Sequence, residues 1–275
     1  MSVAEAAWLL GGGIVVGVFG GLLGIGGGVF LVPLLVLALH VPIHEAIGTS
    51  LVCIIATSSI VAAINLERGL VNIGLGTTLE LATTLGAVAG GIAAGWLSER
   101  QLTLAFGVTL LIVTGLMLVK QRMAATTRRS FEAERGLLGG YYVDPASGTK
   151  VGYRVRRLPL AMATGGVAGT ISGMLGIGGA VLTVPALNLF NGVPMKAAIA
   201  TSNSMIGVTA VAGAIVYYLR GEINPGLTVL VVLGVLAGSL AGAKLTEVLR
   251  ANIVRIIFIV VILAIAGRML AKATR

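Results

Sequence analysis

The sequence predicts an all-α polytopic membrane protein built from two homologous repeats, and three observations predict it. Hydrophobic residues make up 57% of the 275 positions, charged residues only 11%, and mean hydropathy is +1.04. A soluble domain carries about 25% charged residues, so the polar surface that water demands is missing here. Two glycine-rich stretches 152 positions apart are nearly the same sequence, and each half divides into the same succession of five apolar segments.

Gly20 to Leu35 reads GGLLGIGGGVFLVPLL and Ser172 to Leu187 reads SGMLGIGGAVLTVPAL, with ten of sixteen positions identical. The offset then holds without a gap. Thr49-Ser50 meets Thr201-Ser202, Arg68-Gly69 meets Arg220-Gly221, Asn72 meets Asn224, and Gly86 and Gly90 meet Gly238 and Gly242. One offset held over about seventy residues is an internal duplication, a common build for membrane transport proteins, whose sites lie where the halves meet.

The segments of the first half run from Ala6 to Leu23, Gly28 to Leu39, Ala46 to Leu66, Ile73 to Leu97 and Leu102 to Val119. Those of the second run from Leu158 to Leu175, Gly179 to Phe190, Ala197 to Leu219, Leu227 to Leu249 and Ile253 to Leu270. Most approach the roughly 20 residues that cross a bilayer as helix. The second segment of each half does not, since its twelve residues cover about 18 Å. Nor can the first two fuse into one crossing, because about 34 helical residues would reach on the order of 50 Å. The glycines between them oppose a continuous helix, each costing about 1 kcal/mol relative to Ala. The prediction is a helix, a glycine break within the membrane and a short half-helix, placed at the interface of the repeats.

An odd number of crossings per half makes the repeats inverted. This puts the C-terminal Arg268, Lys272 and Arg275 outside, against the positive-inside tendency. An even number makes them parallel, with both termini inside. Segment lengths favour inversion. In each fourth segment Gly86, Gly90 and Ala94, and Gly238 and Gly242, form a small-residue face suited to close packing in lipid.

Three regions follow: a membrane repeat over 1–120, a basic linker over 121–157 and a second membrane repeat over 158–275. From Lys120 to Arg157 nine basic residues face three acidic ones, which places +6 of the net +9 in this connector. Basic loops stay in the cytoplasm, so the linker is expected there and the chain in the inner membrane. No nucleic-acid motif accompanies the charge, which excludes that partner. Tyr141 to Val143, a turn over Asp144 to Gly148 and Thr149 to Val155 read as a β-hairpin. Arg128 to Gly140 reads as a short amphipathic helix or as disordered, and a linker lying on anionic headgroups accounts for the charge. Met1 to Leu10 has no basic n-region, so the first helix is expected to remain in the mature protein.

Enzymatic chemistry has no foothold. Paired carboxylates, His-Cys-Asp clusters and Ser-His pairs do not occur in matched positions, and no cofactor is expected. His40 and His44 have no counterparts in the second half and read as interfacial, with no metal site. Cys53 stands alone in an apolar run, so no disulfide forms within the chain. Gly24-Ile-Gly-Gly-Gly lacks the strand and spacing of a dinucleotide fingerprint.

The glycine breaks carry the functional expectation. Unpaired backbone groups in lipid cost several kcal/mol each, so non-helical backbone survives at membrane depth only where protein or a wet cavity lines it. Two matched breaks imply a shared polar cavity. Half-helices starting at Gly26 and Gly178 would aim N–H groups and positive helix ends at that cavity, which suits a small oxyanion. The candidate substrate-binding residues are Gly24, Gly26, Gly27, Gly28, Gly176, Gly178 and Gly179, with Thr49, Ser50, Thr201, Ser202 and Asn203 as hydroxyl and amide donors. The alternatives are glycines that only permit packing and hydroxyls that cap or bond their own backbone. Pro33 and Pro185 would kink or shorten the half-helices. Arg68 and Arg220 read as interfacial anchors. Glu80, opposite Val232 of the other half, is an intramembrane carboxylate and a candidate for proton coupling.

The LGIGGG-x-x-x-x-P run, its repeat as LGIGGA-x-x-x-x-P and the A-x-x-T-S after each resemble the sulfite exporter TauE/SafE family of membrane permeases. The resemblance covers both halves; the linker is the least typical part. It implies transport of a small sulfur-containing anion, such as sulfite or an organosulfonate, across the bacterial inner membrane. The expectation is therefore a secondary transporter for a small anion, with protons or sodium as coupling ion and the lipid bilayer as its surroundings. A passive anion channel and a non-transporting membrane scaffold subunit are the alternatives.

Overall fold

A computed structural model describes residues 3–23, 26–123, 138–143, 150–245 and 251–274. Gly24 lies outside these residues, as do most of Arg128 to Gly140 and the turn after Val143. In the first half the helices are α1 (Val3–Leu23), α2 (Gly28–Pro33), α3 (Ile43–Glu67), α4 (Ile73–Ala94) and α5 (Glu99–Met123). In the second they are α6 (Leu158–Leu175), α7 (Ala180–Asn191), α8 (Met195–Leu219), α9 (Pro225–Leu245) and α10 (Ala251–Thr274). Between the halves β1 (Gly140–Val143) pairs antiparallel with β2 (Lys150–Tyr153), Tyr141 opposite Gly152.

The chain is an all-α polytopic membrane protein. Among the described residues α1, α3, α4, α6, α8 and α9 are each long and apolar enough to cross a membrane, and the helical segments over Gly28–Ala38 and Ala180–Asn191 are shorter. Outward faces are apolar too. On α4, Leu81, Leu85 and Ile92 are exposed while Leu75, Leu79, Thr83, Ala87 and Gly90 are buried. That pattern suits a helix with protein on one side and hydrocarbon on the other.

Two helix pairs pack with their backbones in contact. Gly86 and Gly90 of α4 face Gly166 and Thr170 of α6, while Gly169 and Gly173 face Thr83 and Ala87. Gly13 and Gly17 of α1 face Val231 and Val235 of α9, and Gly238 and Gly242 face Ile14 and Val18. In each pair the residue numbers rise together, so the two helices run parallel. Small residues permit this approach, and dispersion across the close contact holds the pair together.

Between these pairs α3 and α8 lie side by side and run in opposite directions. His44 in the first turn of α3 bonds the Ala94 carbonyl at the end of α4, at 3.2 Å. Thr201 in the first turns of α8 accepts from the Asn72 N–H just before α4, at 3.0 Å. The hairpin sits at that second end. Asn72 Oδ1 caps α4 by accepting from the Leu75 N–H at 3.0 Å, and its Nδ2 donates to the Leu138 carbonyl and the Tyr153 hydroxyl, both at 3.1 Å. Burial pushes the Tyr153 phenol up from its ordinary value, partly offset by this hydrogen bond, so it stays protonated at neutral pH.

Backbone hydrogen bonds recur 152 residues apart. Leu31 N–H to Gly27 matches Thr183 to Gly179, Val41 to Leu35 matches Val193 to Leu187, and Gly76 to Asn72 matches Thr228 to Asn224. Pro33 and Pro185 differ in effect. The helix after Pro33 widens into a π-helical turn over Leu34–Ala38, whereas α7 continues as α-helix through Pro185 to Asn191. A proline removes one amide donor, and a π-turn is one way of absorbing its ring.

Gly90→Val should destabilise the protein by about 1–3 kcal/mol, because its side chain would be forced against the Thr170 carbonyl. The same change at Gly267, which has open space around it, is the control. Melting of the two variants in detergent checks the difference; equal melting temperatures would remove the close-packing account.

Candidate functional site

The two glycine breaks are built by backbone angles that side chains rarely adopt. Gly26 and Gly27 take φ 79° and 75°, and Gly176 and Gly178 take 66° and 74°. The helices after them begin at Gly28 and Ala180, two residues later than the predicted Gly26 and Gly178. Two positive-φ glycines are needed to turn the chain before the next helix can start. Gly27 and Gly179 carbonyls then accept the first bonds of α2 and α7, from Leu31 at 3.1 Å and Thr183 at 2.9 Å.

The breaks touch each other. A side chain at Gly28 would run into the Gly176 carbonyl, the Ile54 side chain and the Ser50 hydroxyl. Ser50 Oγ donates to that Gly176 carbonyl at 2.7 Å, fully buried and across 126 residues of chain. Thr57 Oγ1, two turns on, lies 3.2 Å from the Gly26 carbonyl and within reach of the Cys53 and Ile54 carbonyls. One helix, α3, thus supplies hydroxyls to carbonyls of both breaks.

The predicted donors have different fates. Thr49 Oγ1 pairs with Thr228 Oγ1 at 3.1 Å, Ser50 is committed to Gly176, and Thr201 accepts from Asn72. These three hold helices together. Ser202 Oγ and Asn203 Nδ2 are buried and have no partner. A buried unpaired polar group costs about 1–3 kcal/mol, and among the described residues Thr84 Oγ1, Asn191 Oδ1 and Arg220 Nε share this state.

Ser202 lines a cleft with Thr83 of α4, Gly169 of α6, Gly179 and Thr183 at the second break, and Met205, Ile206 and Thr209 of α8. It holds about 230 Å³ of empty space, mouth included, and its centre admits about one water molecule. Thr83 and Thr209 hydroxyls pair at 3.0 Å, and Thr183 Oγ1 donates to the Gly179 carbonyl at 2.9 Å. Among the described residues no charged side chain lines this cleft. Glu80, one turn before Thr83, is half-buried and does not line it. Thr83, Thr183 and Thr209 were not among the predicted residues. Thr209 sits 152 positions after Thr57, so the repeat register carried a signal for it; Thr83 corresponds to Val235 and had none.

Arg220, expected as an interfacial anchor, is tied into the bundle at the end of α8. It donates to the Gly91 carbonyl at 2.9 Å and to Glu222 at 2.7 Å, and lies 4.6 Å from the centre of the Tyr217 ring. It ties the end of α8 to the end of α4. Among the described residues no group of three His, Cys, Asp or Glu could hold a metal ion.

The cleft thus lies beside a helix break, inside a bundle with an apolar exterior. The sulfite exporter TauE/SafE family pattern matches residues 9–269. The chain belongs to the sulfite exporter TauE/SafE family. It is similar to the probable membrane transporter protein YunE of Bacillus subtilis, 26% identical over 94% of each chain. It is also similar to the probable membrane transporter protein YdhB of the same organism, 27% identical over 85% of this chain and 87% of that one. A probable membrane transporter protein of Methanocaldococcus jannaschii is 23% identical over 89% and 87%. No solved structure matches. Family and relatives make this chain a membrane transporter and not an enzyme.

Ser50→Ala and Ser202→Ala should behave oppositely in the ligand-free protein. The first leaves the Gly176 carbonyl buried and unpaired and should cost about 1–3 kcal/mol, while the second removes an unsatisfied hydroxyl and should be neutral or stabilising. Melting temperatures of the two variants check the contrast, and equal losses would refute it.

Proposed function

We propose that the chain is a secondary transporter that moves a small anion, sulfite or an organosulfonate by family likeness, across the bacterial inner membrane. The observation that carries this reading is the buried, unpartnered Ser202 hydroxyl in the cleft beside the second glycine break, with the unpartnered Asn203 amide next to it in the chain. Hydroxyl and amide donors with no fixed cation suit an anion of low charge, since full charge would be poorly compensated at membrane depth. The cleft is too narrow for a sulfur oxyanion as it stands, so binding requires α8 to part from α4. Gly26, Gly27, Gly28, Gly176, Gly178 and Gly179 are assigned to the backbone that lets the substrate approach, and Ser202 and Asn203 to its recognition. Thr49, Ser50 and Thr201 are assigned to holding the interface.

The repeats are proposed to be inverted. The recurrence of the same bonds at one offset supports duplication, and the opposed directions of α3 and α8 support inversion. Arg156 and Arg157 carbonyls accept from Asn191, which brings the end of α7 back beside the start of α6. Each half then has three full crossings plus a helix and half-helix that enter and leave at one end. With the basic linker in the cytoplasm, both termini lie outside.

A melting-temperature screen against sulfite, sulfate, thiosulfate, sulfonates and carboxylates tests the substrate class. A ligand at 100 times its dissociation constant should add about 2.7 kcal/mol to wild type, and Ser202→Ala should lose much of that gain. No response to any anion would sink the reading.

Coupling is assigned to Glu80, the half-buried carboxylate one turn from the cleft. Glu80→Gln keeps size and hydrogen bonding but fixes the neutral state, so it should retain substrate exchange and lose the response to a pH gradient. Counterflow in proteoliposomes with and without the gradient decides it. Unchanged gradient-driven transport would pass the role to another ion.

A further inference from the structure

Away from the cleft, an open groove of about 780 Å³, mouth included, lies at the end of α10. Leu37, Arg268, Ala271 and Lys272 line it. Arg268 and Lys272 are one turn apart on one face of the helix. Lys272 Nζ donates to the Val36 carbonyl, in the widened turn after Pro33, at 3.0 Å. That bond holds the ammonium at the groove and uses one of its three N–H groups. Arg268 is exposed and bonds to nothing among the described residues. Among the described residues no carboxylate lines the groove.

The groove also continues an apolar surface. Val260, Ala264, Arg268 and Lys272 form a row at four-residue spacing along α10, and Val260 and Leu263 are 60% and 45% exposed. The helix packs on α5 and touches α2, which leaves this row facing outward. A ligand that satisfies the whole surface carries an anion at one end and hydrocarbon at the other.

We propose that this groove binds the phosphate of an anionic phospholipid, with Arg268 as its bidentate donor, Lys272 as a point charge and the acyl chains along Val260 and Leu263. The assignment also accounts for an anomaly. In the inverted arrangement these cations stand at the bundle end opposite the basic linker, where the positive-inside tendency gives no reason for them. The site is separate from the cleft, so its failure would leave the transport reading untouched.

The test uses the full chain in neutral detergent and reads melting temperature with phosphatidylglycerol, phosphatidylcholine, inorganic phosphate or sulfate added. Phosphatidylglycerol should raise the wild-type value and phosphatidylcholine should not. The Arg268→Gln/Lys272→Gln variant should lose at least half of that rise, while Arg154→Gln, at the other end of the bundle, should keep it. If the double variant does not fold, Arg268→Gln alone serves, because that side chain makes no bond within the described protein. A rise undiminished in these variants, or matched by phosphatidylcholine, overturns the proposal. An equal rise with inorganic phosphate or sulfate would make it a free-anion site and overturn the lipid assignment.

Discussion

Non-helical backbone inside an apolar bundle must find its partners within the protein, and this fold is arranged around doing so twice. The Gly176 carbonyl would be stranded where α6 ends. It is met by Ser50, which comes from the other half of the chain, and the approach is possible only because Gly28 has no side chain there. One short bond therefore satisfies one break, fixes α3 against it and sets the spacing between the two breaks. Thr57 does the corresponding service for Gly26. Substituting the residues that meet these carbonyls would disturb the bundle before it disturbed any ligand.

The halves share a backbone plan and have parted in how they spend their hydroxyls. Ser50 is consumed by Gly176, whereas its counterpart Ser202 is left unpaired. Thr57 reaches the Gly26 carbonyl, whereas its counterpart Thr209 turns to Thr83 of α4. Val235 occupies the position that Thr83 holds in the first half, so an equivalent hydroxyl pair cannot form on the other side. Duplication supplies two similar frames, and the same residue types at matched positions find different partners in them.

How much of this the sequence could carry follows from where each interaction finds its partner. Helices and breaks are local: apolar runs, glycine pairs and prolines mark them, and the short segments after Gly27 and Gly179 stand where spacing put them. The helices begin at Gly28 and Ala180, two residues after Gly26 and Gly178, because the turn itself takes two positive-φ glycines. The fates of Thr49, Ser50, Thr201 and Ser202 were not legible, since each is decided by a residue more than a hundred positions away or by the lack of one. Arg220 reads as an interfacial anchor, and its partners, the Gly91 carbonyl and the Tyr217 ring, are brought to it only by folding.

The interfaces around the cleft differ in kind, and that difference limits how it can widen. Helices α4 and α6 meet backbone to backbone along several glycines, as do α1 and α9, so parting either pair would forfeit dense contact over its whole length. Between α4 and α8 the polar ties are few: Asn72 to Thr201 at one end, Thr83 to Thr209 midway, and Arg220 to Gly91 at the other. The first two are neutral bonds that contribute about 0.5–1.5 kcal/mol each net, and the charged Arg220 bond contributes about 1.5–3 kcal/mol. Parting α8 from α6 also releases the Tyr217 hydroxyl from the Met174 carbonyl. In the proposed transport reading, room at Ser202 is made by moving α8 against an intact α4–α6 pair, with loss of these bonds. The groups released by that movement, the hydroxyls of Thr83 and Thr209, already face the space that would open.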